Sequence, residues 1–422
     1  MRASIILLLV VCAVASPRAQ TLEECQQGAQ RNYPLIAKSD LLRQTTDINI
    51  DNIGKGWLPQ VAATAQATLQ SDVTAFPRQM HDIYQQMGVD MKGLRNDQYR
   101  IGVDVQQMVY DGGNIRLQKD IARQQGEIAL MQNEVDMYGV RQRVNDMYFA
   151  LLLLDAQIQL NRDLQQVLEG NERKLASMYK NGTAAESDYL NVKAERLNAL
   201  QQLTTLQKQR QTVAQMLSLL CGINVQSPVK PHAIVTAAGN NRPELRVTDL
   251  QMKLADTKEE ALRAALMPKV SVFAQGYYGY PGMNMFDDML HRRWSLNGIV
   301  GARITWNIGA LYTHKNDKAR QQLLRHQAAN AREVFLLNNQ LEATEHDANI
   351  ALYRQLMDDD VAIIRLRAQV RRAAESKLAH GIIDANDLVR EIKAENAALL
   401  QQSMHEIQML KEMYQRKITT NN

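Results

Sequence analysis

The stretch Leu58-Pro59-Gln60-Val61-Ala62-Ala63-Thr64-Ala65-Gln66-Ala67-Thr68-Leu69 decides how this chain is read. After Pro59, Val61, Ala63, Ala65, Ala67 and Leu69 fall on one side. Ala62, Thr64, Gln66 and Thr68 fall on the other, which is the period of a β-strand. The same opening returns as Met267-Pro268-Lys269-Val270. Two further pairs keep that spacing, Asn32-Tyr33-Pro34 with Asn241-Arg242-Pro243 and Ala65-Gln66 with Ala274-Gln275. Further on, Tyr110-Asp111-Gly112-Gly113 faces Trp306-Asn307-Ile308-Gly309, Ala122-Arg123-Gln124-Gln125 returns at Ala319-Arg320-Gln321-Gln322, and Lys193-Ala194-Glu195 returns at Lys393-Ala394-Glu395. Each match is short, but their common order along both halves marks an internal duplication.

Working outward, each half predicts the same series of elements. Residues 20–222 form one unit and residues 243–422 the other, with 223–242 as a Pro-containing linker. In the first unit a helical segment from Leu22 to Ile53 leads to a β-hairpin at about 57–111. Tyr99, Ile101, Val103, Val105 and Val109 alternate there with Arg100, Gly102, Asp104 and Gln106. In the second unit the hairpin spans about 267–309, where Val270, Val272, Ala274 and Tyr278 oppose Ser271, Gln275 and Tyr277. Its last strand sets Leu296, Val300, Ile304 and Trp306 against Ser295, Asn297 and Arg303. Residues 73–97 and 281–293 read as the loops inside these hairpins.

Each hairpin is followed by a long helical hairpin, about 112–220 and 310–417. No proline stands between Gly113 and Pro228, and apolar residues recur at three- and four-residue steps. Asn181-Gly182 and His380-Gly381 supply the turn signals. A helix of roughly 65 residues is a rod near 100 Å long, and such rods need lateral partners.

Composition agrees. The 422 residues carry a net charge of +4, too balanced for a dedicated nucleic-acid binder. Only 5% are aromatic, with 21 glycines and 9 prolines, which argues for long Ala/Leu/Gln helices over aromatic-centred globules. Arg2 and the short apolar run Ile5–Ala15 predict a signal peptide over residues 1–19, cleaved after Ala15 or Ala19. Cys12 leaves a lipoprotein reading open, although Val11 is large for such a site. After Ala19 no stretch approaches the roughly 20 apolar residues that a spanning helix needs. The alternating strands therefore belong either to a soluble sandwich or to a membrane β-barrel. Strand length favours the barrel. So do Trp57, Tyr99, Tyr110, Tyr278, Tyr280, Trp294 and Trp306 near strand ends, where an interface girdle sits. Four strands cannot close a barrel, for which eight is near the minimum, whereas a trimer supplies twelve.

Taken together, Thr21-Leu22-Glu23-Glu24, Asn32-Tyr33-Pro34, Leu58-Pro59-Gln60-Val61, Tyr110-Asp111-Gly112-Gly113 and the turns Gly182…Asp188 and Gly381…Asp387 make the chain resemble the TolC-like outer-membrane factors, the outer membrane efflux proteins. The resemblance covers essentially all of the chain after residue 19. It implies an α+β membrane protein whose four strands join a trimeric twelve-stranded outer-membrane β-barrel, continued by a long periplasmic α-helical barrel. It further implies an exit duct for a tripartite efflux pump or a type I secretion system, with no enzymatic activity and no cofactor. The partners it implies are two further copies of the chain, a periplasmic membrane-fusion adaptor, an inner-membrane RND or ABC pump and outer-membrane lipid, with no nucleic acid.

By the same resemblance Asp387, Arg390 and Asp188 lie at the periplasmic aperture. Asn181, Gly182, Thr183, His380 and Gly381 form the adaptor-docking helical tips. Trp57, Tyr99, Tyr110, Tyr278, Trp294 and Trp306 become membrane-interface aromatics. The chain departs from the family pattern at Arg390, where a second acidic ring is expected, and at Ile383, where a latch arginine is expected. A mouth with Arg390 beside Asp387 can close by Asp–Arg pairing. The competing function is a structural or adhesive periplasmic coiled-coil protein with soluble strands and no channel. The histidines, among them His81, His291, His346 and His380, show no HExxH or paired spacing and read as lone surface residues with no metal. Cys25 and Cys221 read as two buried thiols, with a bridge as the alternative.

Overall fold

The structure, a computed structural model, describes residues 20–91, 93–234 and 239–421. The expected signal peptide, with Cys12, lies outside the described residues. The chain divides into two compact units, and each takes segments from both halves of the sequence.

One unit comprises the described parts of the chain up to Asp40, Met131–Arg246 and Arg332–Asn422. Its first helix, α1 (Leu22–Asn32), opens on a capping box. Thr21 Oγ1 accepts from the Glu24 amide at 3.1 Å, and the Glu24 carboxylate accepts from the Thr21 amide at 3.0 Å. The sequence predicts one helix to Ile53, but the structure breaks it. Tyr33, ahead of Pro34, takes extended backbone angles, and α2 (Leu35–Gly54) begins afresh. The ring of a proline disfavours helical angles in the residue before it and removes a backbone donor.

The bulk of this unit is two antiparallel helical hairpins. They are α4 (Asn114–Lys180) with α5 (Glu186–Cys221) and α8 (Ala310–Ala379) with α9 (Ala385–Thr420). One core joins Leu22, Cys25 and Ala29 of α1 to Val144, Tyr148 and Phe149 of α4, Leu217 and Cys221 of α5, and Leu410 and Met413 of α9. A second core lies towards the turns: Leu168 and Leu175 of α4, Val192 of α5, Leu378 of α8, and Leu388 and Ile392 of α9. Ion pairs tie the arms together. Glu172 of α4 meets Arg196 of α5 at 2.5 Å, and Arg371 of α8 pairs with Glu395 of α9. The two pairs stand at equal spacings from their turn glycines, with acid and base exchanged between the hairpins.

Cys25 and Cys221 are buried free thiols. Their mutual hydrogen bond, together with burial, pushes the Cys25 thiol well above its ordinary range, and the same hydrogen bond lowers that of Cys221. Two histidines differ from the lone-surface expectation. His405 is buried, with Nδ1 2.7 Å from Asp360 Oδ2 and Nε2 2.8 Å from Gln401, while His346 Nδ1 lies 2.6 Å from Glu412. Both join α8 to α9, because an imidazole between two long helices is buried wherever a carboxylate faces it.

The other unit comprises Leu41–Leu130 and Val247–Ala331. It holds a four-stranded antiparallel sheet in the order β1 (Gln60–Leu69), β2 (Asp97–Tyr110), β3 (Lys269–Tyr280) and β4 (Ser295–Thr305). β1 pairs with β2 from Gln60 opposite Gln106 to Leu69 opposite Asp97. β3 then bridges the two sequence halves, with Tyr99 opposite Tyr280 and Gly279 opposite Ser295. The two segments read as plain loops each contain a short helix, α3 (Arg78–Gln86) and α7 (Met285–His291). Met289 of α7 joins Leu94 and Tyr280 in a small core, and Tyr84 of α3 lies 6.0 Å from Phe76, which packs against that core. Helix α6 (Pro243–Ala265) is linked within this unit to α4 and α8 by Gln124–Thr257 at 2.9 Å and Lys318–Glu259 at 3.3 Å.

No second sheet exists among the described residues, and this removes the sandwich reading. The apolar face is open: Val61 is 67% exposed, Leu296 82% and Val300 80%. Water penalises such a face at about 25 cal/mol per Å², whereas lipid does not.

Candidate functional site

Two regions carry the residues singled out in the sequence. The first is the pair of helical turns. At the end of α4, Gly182 sits at φ +69°, its amide donating to the Tyr179 carbonyl at 3.0 Å while the Thr183 amide reaches Met178 O at 2.9 Å. At the end of α8, Gly381 repeats this geometry, also at φ +69°, with bonds to Leu378 O at 3.0 Å and from Ile382 to Lys377 O at 2.9 Å. Both turns are Schellman caps, which satisfy the last helical carbonyls and favour glycine at the left-handed position. Thr183, His380 and Gly381 line one cavity of about 580 Å³ together with Lys174, Ser177 and Met178. Asn181 and Gly182 are exposed at its border.

The three residues expected at the aperture are distinct in their surroundings. Asp188, in the first turn of α5, is half-buried. Its carboxylate accepts from the Ala385 amide at 3.4 Å and so caps the start of α9 from across the turns. Asp384 caps α9 from within, accepting the Asp387 amide at 2.9 Å. Asp387 in turn pairs with Arg390 at 2.9 Å, and Arg390 also reaches Glu391 at 3.5 Å. Asp387 and Arg390 thus pair within one copy of the chain, three residues apart on α9. Ile383 packs against the second core. The sequence reading missed the capping role of Asp188. A carboxylate in the first turn after a helical turn was its only signal.

The second region is the sheet. Tyr99, Tyr278 and Trp294 cluster at one end of the strands, the first and last stacked at 6.3 Å and 10° and the latter two 5.5 Å apart. Trp57, Tyr110 and Trp306 stand at the opposite end, and the indole of Trp306 donates to Leu266 O at 2.9 Å. All six rings are exposed. Tyr280, the seventh of the sequence-stretch aromatics, is buried, its hydroxyl accepting from the Arg95 amide at 3.0 Å. At the sheet-to-helix junction Asp111 is buried, accepting from the Gly113 amide at 2.8 Å and the Ile115 amide at 2.6 Å to start α4. No helix among the described residues is long and apolar enough to cross a membrane. No group of three His, Cys, Asp or Glu suited to a metal occurs among them either.

A sheet whose exposed face is apolar, banded by aromatics at both strand ends and set in a chain of long helical hairpins, is the arrangement expected of a TolC-like outer-membrane channel. Solved structures share this fold. The outer-membrane channel OprN aligns at TM-score 0.70 and 16% identity over 94% of this chain and 89% of its own. The outer membrane protein VceC of Vibrio cholerae aligns at 0.69 and 14%, covering 94% of each chain. The open state of the Neisseria gonorrhoeae MtrE outer membrane channel aligns at 0.68 and 14%, over 95% of this chain and 88% of its own. At these identities the likeness is one of fold. No curated protein matches the chain. Residues 26–223 match the family described as outer membrane efflux protein.

Proposed function

We propose that three copies of this chain form the outer-membrane exit duct of a tripartite efflux pump or type I secretion system. The observation that carries the reading is the sheet: four strands of ten to fourteen residues, an exposed apolar face and two unpaired edges, β1 and β4. At about 3.3 Å per residue each strand is long enough to cross a bilayer on a tilted path. Pairing β4 of one copy with β1 of the next removes both edges and closes a twelve-stranded barrel. The duplicated order of elements supplies two hairpins and two helical hairpins per copy. The helical turns, with the cavity beside Thr183 and His380, are the docking tips for a periplasmic adaptor, and an inner-membrane pump supplies the cargo.

The competing reading, a structural or adhesive coiled-coil protein, has no use for a sheet that exposes its apolar face. Cell fractionation with heat-modifiable gel mobility separates the two. The duct is expected in the outer-membrane fraction as an oligomer that changes mobility on heating. A monomer found wholly in the soluble periplasm would sink the duct.

At the mouth, the Asp387–Arg390 pair is exposed and contributes about 0.2–1 kcal/mol to stability, so its substitution acts on ions rather than on the fold. Asp387→Ala is expected to lower cation preference or alter conductance in planar bilayers. Arg390→Ala, which leaves Asp387 unpaired, is expected to raise cation preference. If neither variant differs from the parent, Asp387 is an ordinary solvated helix end.

A further inference from the structure

The polar face of the sheet carries a charge pattern that the duct reading leaves unused. The register places Arg100, Asp104, Lys269 and Arg303 on this one face, so each copy sets three cations against a single anion. The opposite face is apolar along its length except at the strand ends.

The two arginines are held in place. Arg100 donates through Nε and a terminal nitrogen to Gln66 Oε1 at 3.0 and 2.7 Å, and its guanidinium lies 5.8 Å from the Tyr277 ring. Arg303 stacks on Phe273 at 4.9 Å. Neither arginine has an acidic partner within 4.0 Å among the described residues, whereas Asp104 is engaged by Thr64 at 3.2 Å. The rings beneath the arginines fit because glycine stands opposite each. Gly102 faces Tyr277 and Gly301 faces Phe273. A Cβ at Gly102 would come 2.8 Å from Tyr277 Cβ, and one at Gly301 would come 2.8 Å from the Phe273 ring. Arg100 itself lies opposite Gly279, where a Cβ would approach to 2.7 Å. Arg100, Tyr277 and Phe273 therefore each lie across a cross-strand glycine, while Arg303 faces Ser271. Arg100 also borders an open recess of about 330 Å³ with Gln66, Thr68, Gln98 and Tyr277.

We propose that this face is a basic collar lining the barrel lumen, selecting anionic solutes among those that pass. The inference rests on the duct reading, which turns the apolar face to lipid and the polar face inward. Repeated in each copy of a closed barrel, unpaired guanidinium groups on a low-dielectric wall give a positive potential that attracts anions. An arginine stacked on an aromatic ring keeps its charge and its remaining donors free for a passing carboxylate or phosphate.

The test is the reversal potential of the purified full chain in planar bilayers under a potassium chloride gradient. R100Q, K269Q and R303Q combined are expected to lower the chloride-to-potassium permeability ratio by about threefold or more, and D104N to raise it. D104N guards against a combined variant that fails to assemble, since it removes charge in the opposite sense. Conducting channels whose ratio is unchanged by D104N and by the combined variant overturn the collar and leave the duct intact. Absence of any conductance from the parent chain overturns the duct and the collar with it.

Discussion

Tyr148→Ala is expected to lower the stability of the helical unit by about 3–5 kcal/mol, the largest effect of any single substitution considered. Tyr148 is 0% exposed, and its ring lies edge-on to Phe149 at 6.2 Å, which in turn sits 5.8 Å from Tyr414. Its hydroxyl is 2.6 Å from the Val229 carbonyl and 2.9 Å from that of Gln20. One side chain thus holds the start of the described chain and the segment after α5 against α4. Burial raises the phenol above its ordinary value, so the group stays neutral and a donor. Truncation removes the packed ring and leaves two carbonyls without that donor. Tyr148→Phe keeps the ring and removes only the hydrogen bonds, at about 1–3 kcal/mol. Urea midpoints of the two variants in detergent check the division. Equal losses would assign the site to hydrogen bonding alone.

Leu388→Ala is the second. Leu388 is fully buried at the start of α9, in the core that joins both helical turns through Leu175, Val192 and Leu378. Removing its side chain costs about 2–5 kcal/mol, depending on how far the four helices collapse into the cavity. That core carries the backbone of Asp188 and Asp387, so its loosening is expected to raise the frequency of spontaneous opening in single-channel recordings, alongside a lower urea midpoint. A destabilised variant with unchanged opening would separate the core from closure of the mouth.

Both effects come from residues that the sequence marks only as members of an apolar stripe. Leu388 and Tyr148 share their periodicity with many other positions, and several of those, such as Leu341 and Val361, are exposed in the structure. On helices this long, period gives a face but not which stretch of it another helix covers. The turns were more legible. Gly182 and Gly381 end their helices where Asn-Gly and His-Gly stand, because a left-handed cap is a local requirement. The strands were legible for the same reason, although the helices α3 and α7 inside their loops were not, being short.

The candidate site divides in the same way. Asp387 and Arg390 lie three residues apart on one helix, and their pairing follows from helical geometry. Asp188 reaching the amide of Ala385 does not, since it depends on two hairpins distant in sequence meeting at their tips. His405 with Asp360 belongs to this second kind, and so do the glycines that receive Tyr277 and Phe273 across the sheet.

The sequence by itself determined the alternating strands, the long helices and their glycine turns. Each of these depends on backbone donors and side-chain periods within a few residues. The tertiary structure alone decided that the apolar face of the sheet is open, that the two halves share one sheet through the pairing of β2 with β3, and which charges meet. Burial and pairing depend on distances between segments far apart in the chain, and no local pattern encodes those distances.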